Sequence, residues 1–179
     1  MTTNIKIQIF GELTNPEAIW DLGNAAAAET TVDWMSGFEV ADFSGLLEAA
    51  ANEERALVLV RSDTKDLIDA VRSTCMDAGL SFVAHYAASG VEGYTNGIAW
   101  RPGMRSEYEF LVSGHEDVLL PLSAIRQKHA AGPGAIDAML TDIIAKTTVG
   151  KIVVTPEFRA EYEEYSGYPW GSASISSPR

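Results

Sequence analysis

A chain of 179 residues with 46% hydrophobic side chains has the size and apolar content of one packed domain. Its formal charge of −12 at pH 7 argues against direct binding to a nucleic-acid backbone, which needs clustered Lys and Arg to displace counterions. A single cysteine, Cys75, excludes an internal disulfide, and the opening Met-Thr-Thr-Asn leads straight into an alternating pattern without the basic and apolar segments of a signal peptide. The expectation is therefore a cytoplasmic protein with one domain over residues 1–165 and a flexible tail, rich in Ser, Gly and Pro, over 166–179.

Asn4 to Phe10 alternates, with Ile5, Ile7 and Ile9 on one face and Lys6 and Gln8 on the other, which predicts a half-exposed strand at an edge or in a one-sided position. Gly11 to Asn15 turns the chain. Asn15-Pro16-Glu17 then reads as a helix entry, Asn as the cap and Pro at the first helical position, for a helix to about Ala28. Thr30 to Met35 is β-prone, and Asp42 or Ser44 caps a second helix through about Asn52. Residues 1–56 hold ten acids against Lys6 and Arg55, so the negative charge concentrates here. Glu29, Asp33, Glu39, Asp42, Glu48, Glu53 and Glu54 lie in or beside these two helices and are the candidates for one negative, partner-binding face.

From Ala56 to Tyr86 the chain reads as a complete strand, helix and strand. Leu57 to Val60 is an unbroken apolar run, as in a strand covered on both faces, and Ser62 and Asp63 follow as candidate caps. Leu67, Ile68, Val71, Cys75 and Met76 recur at helical spacing, Gly79 closes the helix, and Phe82 to Tyr86 is extended again. A crossover of this length joins parallel strands, which places the unit at the centre of a sheet and Cys75 in its core.

Ala87 to Gly97 is small and flexible in composition and reads as a surface loop. Ile98 to Arg101 and Glu107 to Val112 flank the turn Pro102-Gly103-Met104-Arg105 and predict a β-hairpin. A second turn at Ser113-Gly114-His115-Glu116 leads to a short strand at Val118 to Leu120. A helix follows through Ala131, Gly132-Pro133-Gly134 breaks it, and Ile136, Met139, Leu140, Ile143 and Ile144 define the next helix, ending near Thr147. After a short strand at Lys151 to Thr155, Pro156 opens a last helix with Phe158, Tyr162 and Tyr165 on one face and Glu157, Glu161 and Glu164 on the other, and Trp170 offers an anchor for the tail. The fold class is α/β, with α+β as the alternative: a mixed sheet with a central parallel β-α-β unit plus an antiparallel hairpin, and helices packed on the sheet.

No motif fixes a chemistry. Gly90 and Gly93 lack the Gly-Lys-Ser or Gly-Lys-Thr ending of a phosphate loop, His85, His115 and His129 lack the close spacing of metal ligands, and no cofactor or metal is expected. A hydrolase or transferase would use Ser62 at the end of the central strand, His85 or His115 as base, and Asp63 or Glu92 to orient it. The glycine-flanked turn of a serine nucleophile is absent from Val60-Arg61-Ser62-Asp63-Thr64, and capping explains the same residues. The favoured expectation is a non-enzymatic interaction protein whose acidic face binds a basic protein surface. In its sharper form it is a nucleic-acid mimic, encoded by a phage or mobile element, that inhibits a host nuclease or CRISPR complex.

Overall fold

Ten residues make strand β1 (Asn4–Leu13) the axis of the sheet. A computed structural model describes residues 4–17, 21, 32–35, 49–54, 56–61, 65–87, 94–167 and 169–170. In it β1 pairs antiparallel with β3 (Ala56–Arg61) on one side and β4 (Ser81–Ala87) on the other, and its last three residues pair parallel with β8 (Ile152–Val154). Beyond them the order continues through β2 (Val32–Met35) at the β3 side and through β5 (Tyr94–Trp100), β6 (Tyr108–Ser113) and β7 (Val118–Leu119) at the β4 side. The expectation of an edge or one-sided β1 is corrected: Gln8 is 4% exposed and Phe10 3%, so both faces of the strand are covered. Alternation reports which side chains share a face, and it does not report whether that face is open.

The strand, helix and strand unit takes a split form. Because β3 and β4 both run antiparallel to β1, they are parallel to each other, with β1 inserted between them. Helix α1 (Lys65–Asp77) connects them and closes as its sequence requires: Gly79 adopts φ +68°, its N–H donates to the Met76 carbonyl at 3.2 Å, and the Leu80 N–H donates to the Cys75 carbonyl at 2.8 Å. Those two bonds satisfy carbonyls that the helix end would otherwise leave bare.

The predicted hairpin forms between β5 and β6, where the Met104 N–H donates to the Arg101 carbonyl at 3.0 Å across the Pro102-Gly103 turn. β5 starts at Tyr94, so the expected loop reaches less far than Gly97. Helices α2 (Leu122–Ala130) and α3 (Ala135–Thr147) are joined at Gly132-Pro133-Gly134, and α4 (Pro156–Ser166) begins with the Thr155 Oγ1 accepting from the Phe158 N–H at 3.1 Å. Class and layers are those of an α/β fold, a mixed sheet with helices packed on it.

On one face, Ile5, Ile7 and Ile9 join Phe82, Ala84, Ile98 and Trp100, and this layer is closed by Val71 and Cys75 from α1 and Phe158 and Tyr162 from α4. Trp170 meets Phe158 and Tyr162 edge-on, at 5.4 Å and 5.1 Å between ring centres. On the other face Phe10, Val83, Ala99, Phe110 and Val112 form a smaller cluster. Arg101 lies 4.9 Å from the Phe10 ring centre and donates to the carbonyls of Lys146 and Thr148, which ties the end of α3 to the sheet. No helix among the described residues is long and apolar enough to cross a membrane.

Candidate functional site

The alternative catalytic residue His85 stands in the middle of β4, half-buried on the second face. Strand register places Lys6, His85, Gly97 and Phe110 in one row across β1, β4, β5 and β6. The Lys6 Nζ forms an ion pair with the Glu116 Oε1 at 2.6 Å. Phe110 meets His85 edge-on with ring centres 6.0 Å apart, and a Cβ on Gly97 would overlap the Phe110 ring, so the absent side chain is what lets the ring lean toward the histidine. Burial lowers the His85 pKa below 6.5, Glu116 opposing and Lys6 assisting, so the imidazole is neutral at pH 7.

Around His85 the described groups thus supply an aromatic edge, a cation, and a carboxylate already engaged by that cation. Ser62, Asp63 and Glu92 lie outside the described residues, and His115 is exposed in the turn after β6, its N–H donating to the Ser113 Oγ at 3.1 Å. Among the described residues no group of three His, Cys, Asp or Glu side chains is placed to hold a metal ion. Cys75 is fully buried on α1, and burial pushes its thiol pKa far up, leaving it a small core residue.

Acidic side chains gather at the end of the sheet where β1 exits. Glu53 and Glu54, both exposed, precede β3, whose first residue Ala56 lies opposite Ile9; the Glu54 carbonyl accepts from the Ile152 N–H at 2.9 Å, fixing this segment beside β8. At the same end the chain leaving β1 meets the last turn of α1 in a cleft of about 490 Å³ that holds Glu17, Asp21 and Asp77, with Thr14, Asn15 and Thr74 beside them. The Asn15 Oδ1 accepts from the Glu17 N–H at 2.8 Å, as the cap sequence implies. No Lys or Arg is among the described residues lining the cleft, and α1 has no basic residue in its last turn. Asp77 therefore adds its charge to the negative end of the helix dipole instead of offsetting it.

Of the predicted partner-binding acids, Glu53 and Glu54 are at this end. Asp33 is in β2 opposite Leu59, which itself pairs with Lys6, and so belongs to the row that crosses the middle of the sheet. Glu29, Glu39, Asp42 and Glu48 lie outside the described residues. Sequence reasoning missed Glu17, Asp21 and Asp77. The first two are four apart after a helix cap, a signal that was available, whereas Asp77 reaches them only through the fold.

A second concavity, about 350 Å³, opens over β5 and β6 and is lined by Tyr86, Asn96 and Glu109 together with Leu111, Leu119 and Pro121. Burial, then Glu109 and Glu107, raise the pKa of the Tyr86 hydroxyl, while Arg72 pulls the other way. Arg72 itself bridges Asp69 at 3.2 Å and Glu107 at 2.9 Å. A scan against protein-family models, a search of curated proteins and a search of solved structures each found no match to this chain.

Proposed function

We propose that this is an acidic interaction protein that presents the β1-exit end of its sheet to a basic protein surface. The observation that carries the reading is the cleft lined by Glu17, Asp21 and Asp77, with no Lys or Arg among the described residues that line it. Asp77 adds its charge to the negative end of the α1 dipole, and a cationic partner surface at this cleft is attracted by all three carboxylates, which speeds encounter. The sharper form is a nucleic-acid mimic occupying the groove of a host nuclease or CRISPR complex. It draws on the same charge, since such a groove is lined by the Lys and Arg that would complement it. The hydrolase or transferase alternative rests on Ser62 and Asp63, with His85 as the described member of that set.

The test uses a labelled oligo-arginine peptide and fluorescence anisotropy over a range of salt. Replacing Glu17, Asp21 and Asp77 by Gln, Asn and Asn is expected to weaken binding by about tenfold or more at low ionic strength. The charge-matched control, Glu157, Glu161 and Glu164 all changed to Gln on the exposed side of α4, is expected to change it by less than about twofold. Equal losses in the two variants would mean diffuse attraction and would end the proposal of a localised site. Competition of the wild-type chain with DNA for a basic nuclease tests the sharper form.

A further inference from the structure

On the sheet face that carries Ile98 and Trp100, burial stops short of β6. Ile98 and Trp100 on β5 are buried, whereas Leu111 on the neighbouring strand is 45% exposed. Strand register sets Tyr86, Asn96, Leu111 and Leu119 in one row across β4, β5, β6 and β7, so the row is polar at its β4 end and apolar at its β7 end. Alternation puts Glu109, opposite Ile98, on the same face as Leu111 and diagonal to Asn96. These five residues and Pro121 line the concavity of about 350 Å³, within the size range of small-molecule sites.

The charge in this concavity is of one sign. Among the described residues no Lys or Arg lines it, and none of their ion pairs takes Glu109. Arg72, the guanidinium that acts on Tyr86, is already engaged by Asp69 at 3.2 Å and Glu107 at 2.9 Å. Glu109 in turn helps to raise the pKa of the Tyr86 hydroxyl, so the carboxylate and the phenol are within electrostatic reach of each other, and the phenol stays protonated at neutral pH. An anion entering here would meet Glu109, and a purely apolar ligand would strip water from the polar end of the row without replacing its hydrogen bonds.

We propose that this concavity binds a small primary amine with a short aliphatic chain, its ammonium group held by Glu109, Asn96 and Tyr86 and its chain laid over Leu111 and Leu119. An ammonium group carries three N–H donors and no acceptor, and the Glu109 carboxylate, the Asn96 Oδ1 and the Tyr86 hydroxyl oxygen are three acceptors. From Asn96 to Leu119 is two strand spacings, about 10 Å, which an extended chain of about six carbons and its nitrogen nearly spans. Pro121 adds apolar surface beside that chain. The concavity shares no residue with the cleft of Glu17, Asp21 and Asp77, so the two sites can be tested apart.

Titration of the full chain with hexylammonium chloride, followed by amide and methyl NMR shifts, tests this. Saturable shifts are expected at the Asn96 side-chain amide and the Leu111 and Leu119 methyls, with dissociation at about 0.1–1 mM for a ligand of about seven non-hydrogen atoms. Hexanoate, hexanol and ethylammonium are each expected to bind at least about tenfold more weakly, since each lacks either the charge or the chain. Glu109→Gln, at an exposed position, is expected to weaken hexylammonium at least about fivefold with an unchanged circular dichroism spectrum. Glu157→Gln on α4 is expected to change it by less than about twofold, and so is the triple Glu17, Asp21 and Asp77 variant, which separates this site from the acidic cleft. Absence of saturable shifts overturns the proposal, as does equal binding of hexylammonium and hexanol or undiminished binding in Glu109→Gln. Shifts of the same residues on concentrating the chain without amine would give the face to a second copy and overturn it as well.

Discussion

The two faces of the sheet are made by the same strands yet are held in different ways. On the face of Ile5, Ile7 and Ile9, aliphatic and aromatic side chains meet two helices and a docked tryptophan, and cohesion comes from the amount of apolar surface removed from water. On the opposite face the same β1 contributes Lys6, Gln8 and Phe10, and the packing relies on specific pairs: Lys6 with Glu116, Arg101 with Phe10, and Phe110 over Gly97 beside His85. A face of the first kind tolerates exchange of one apolar residue for another of similar volume. A face of the second kind depends on which residue stands at each position.

Three changes would break or sharpen that contrast. Phe158→Ala empties a fully buried ring site on the first face and is expected to lower unfolding stability by about 3–5 kcal/mol in urea titrations. A loss under about 1 kcal/mol would show that this face is not where stability concentrates. Gly97→Ala, on the second face, adds one carbon where the Phe110 ring sits, and is expected to cost about 1–3 kcal/mol. Combined with Phe110→Ala it should cost clearly less than the sum of the two, since the ring that clashes is gone; simple additivity would refute the proposed contact.

The smallest effect concerns pH. The folded-state pKa of His85 lies below 6.5, so the unfolded chain binds more protons as pH falls through 6.5 toward the folded value. Its contribution to stability is complete above pH 6.5 and is lost below it. Unfolding midpoints measured between pH 8 and pH 5 should therefore fall less steeply for His85→Gln than for the wild type. Identical slopes would mean that the imidazole is as free in the folded protein as in the unfolded one.

Much of the architecture was legible because it is written in local rules. Pro102-Gly103 between two apolar runs, Gly79 after a helical repeat, and Pro156 before one each specify a backbone conformation within a few residues, and each occurs as expected, while Thr155, expected as the last strand residue, caps the helix instead. The burial of Cys75, Phe158 and Tyr162 followed from spacing alone. Of the candidate site, Glu53 and Glu54 were named in advance and lie exposed before β3, whereas the acids lining the cleft, Glu17, Asp21 and Asp77, were not named.

Sequence by itself determined most of the described elements and their apolar stripes, since these depend on dihedral preference and periodicity over one or two turns, but not every end: β1 runs on to Leu13 through the expected turn at Gly11, and β5 begins at Tyr94 inside the expected loop. Tertiary structure alone decided that β1 stands between β3 and β4, that Gly97 makes room for Phe110, and that Asp77 joins Glu17 and Asp21. Strand order and the meeting of residues sixty positions apart are set by which surfaces bury one another best, a comparison among whole arrangements of the chain that no local pattern records.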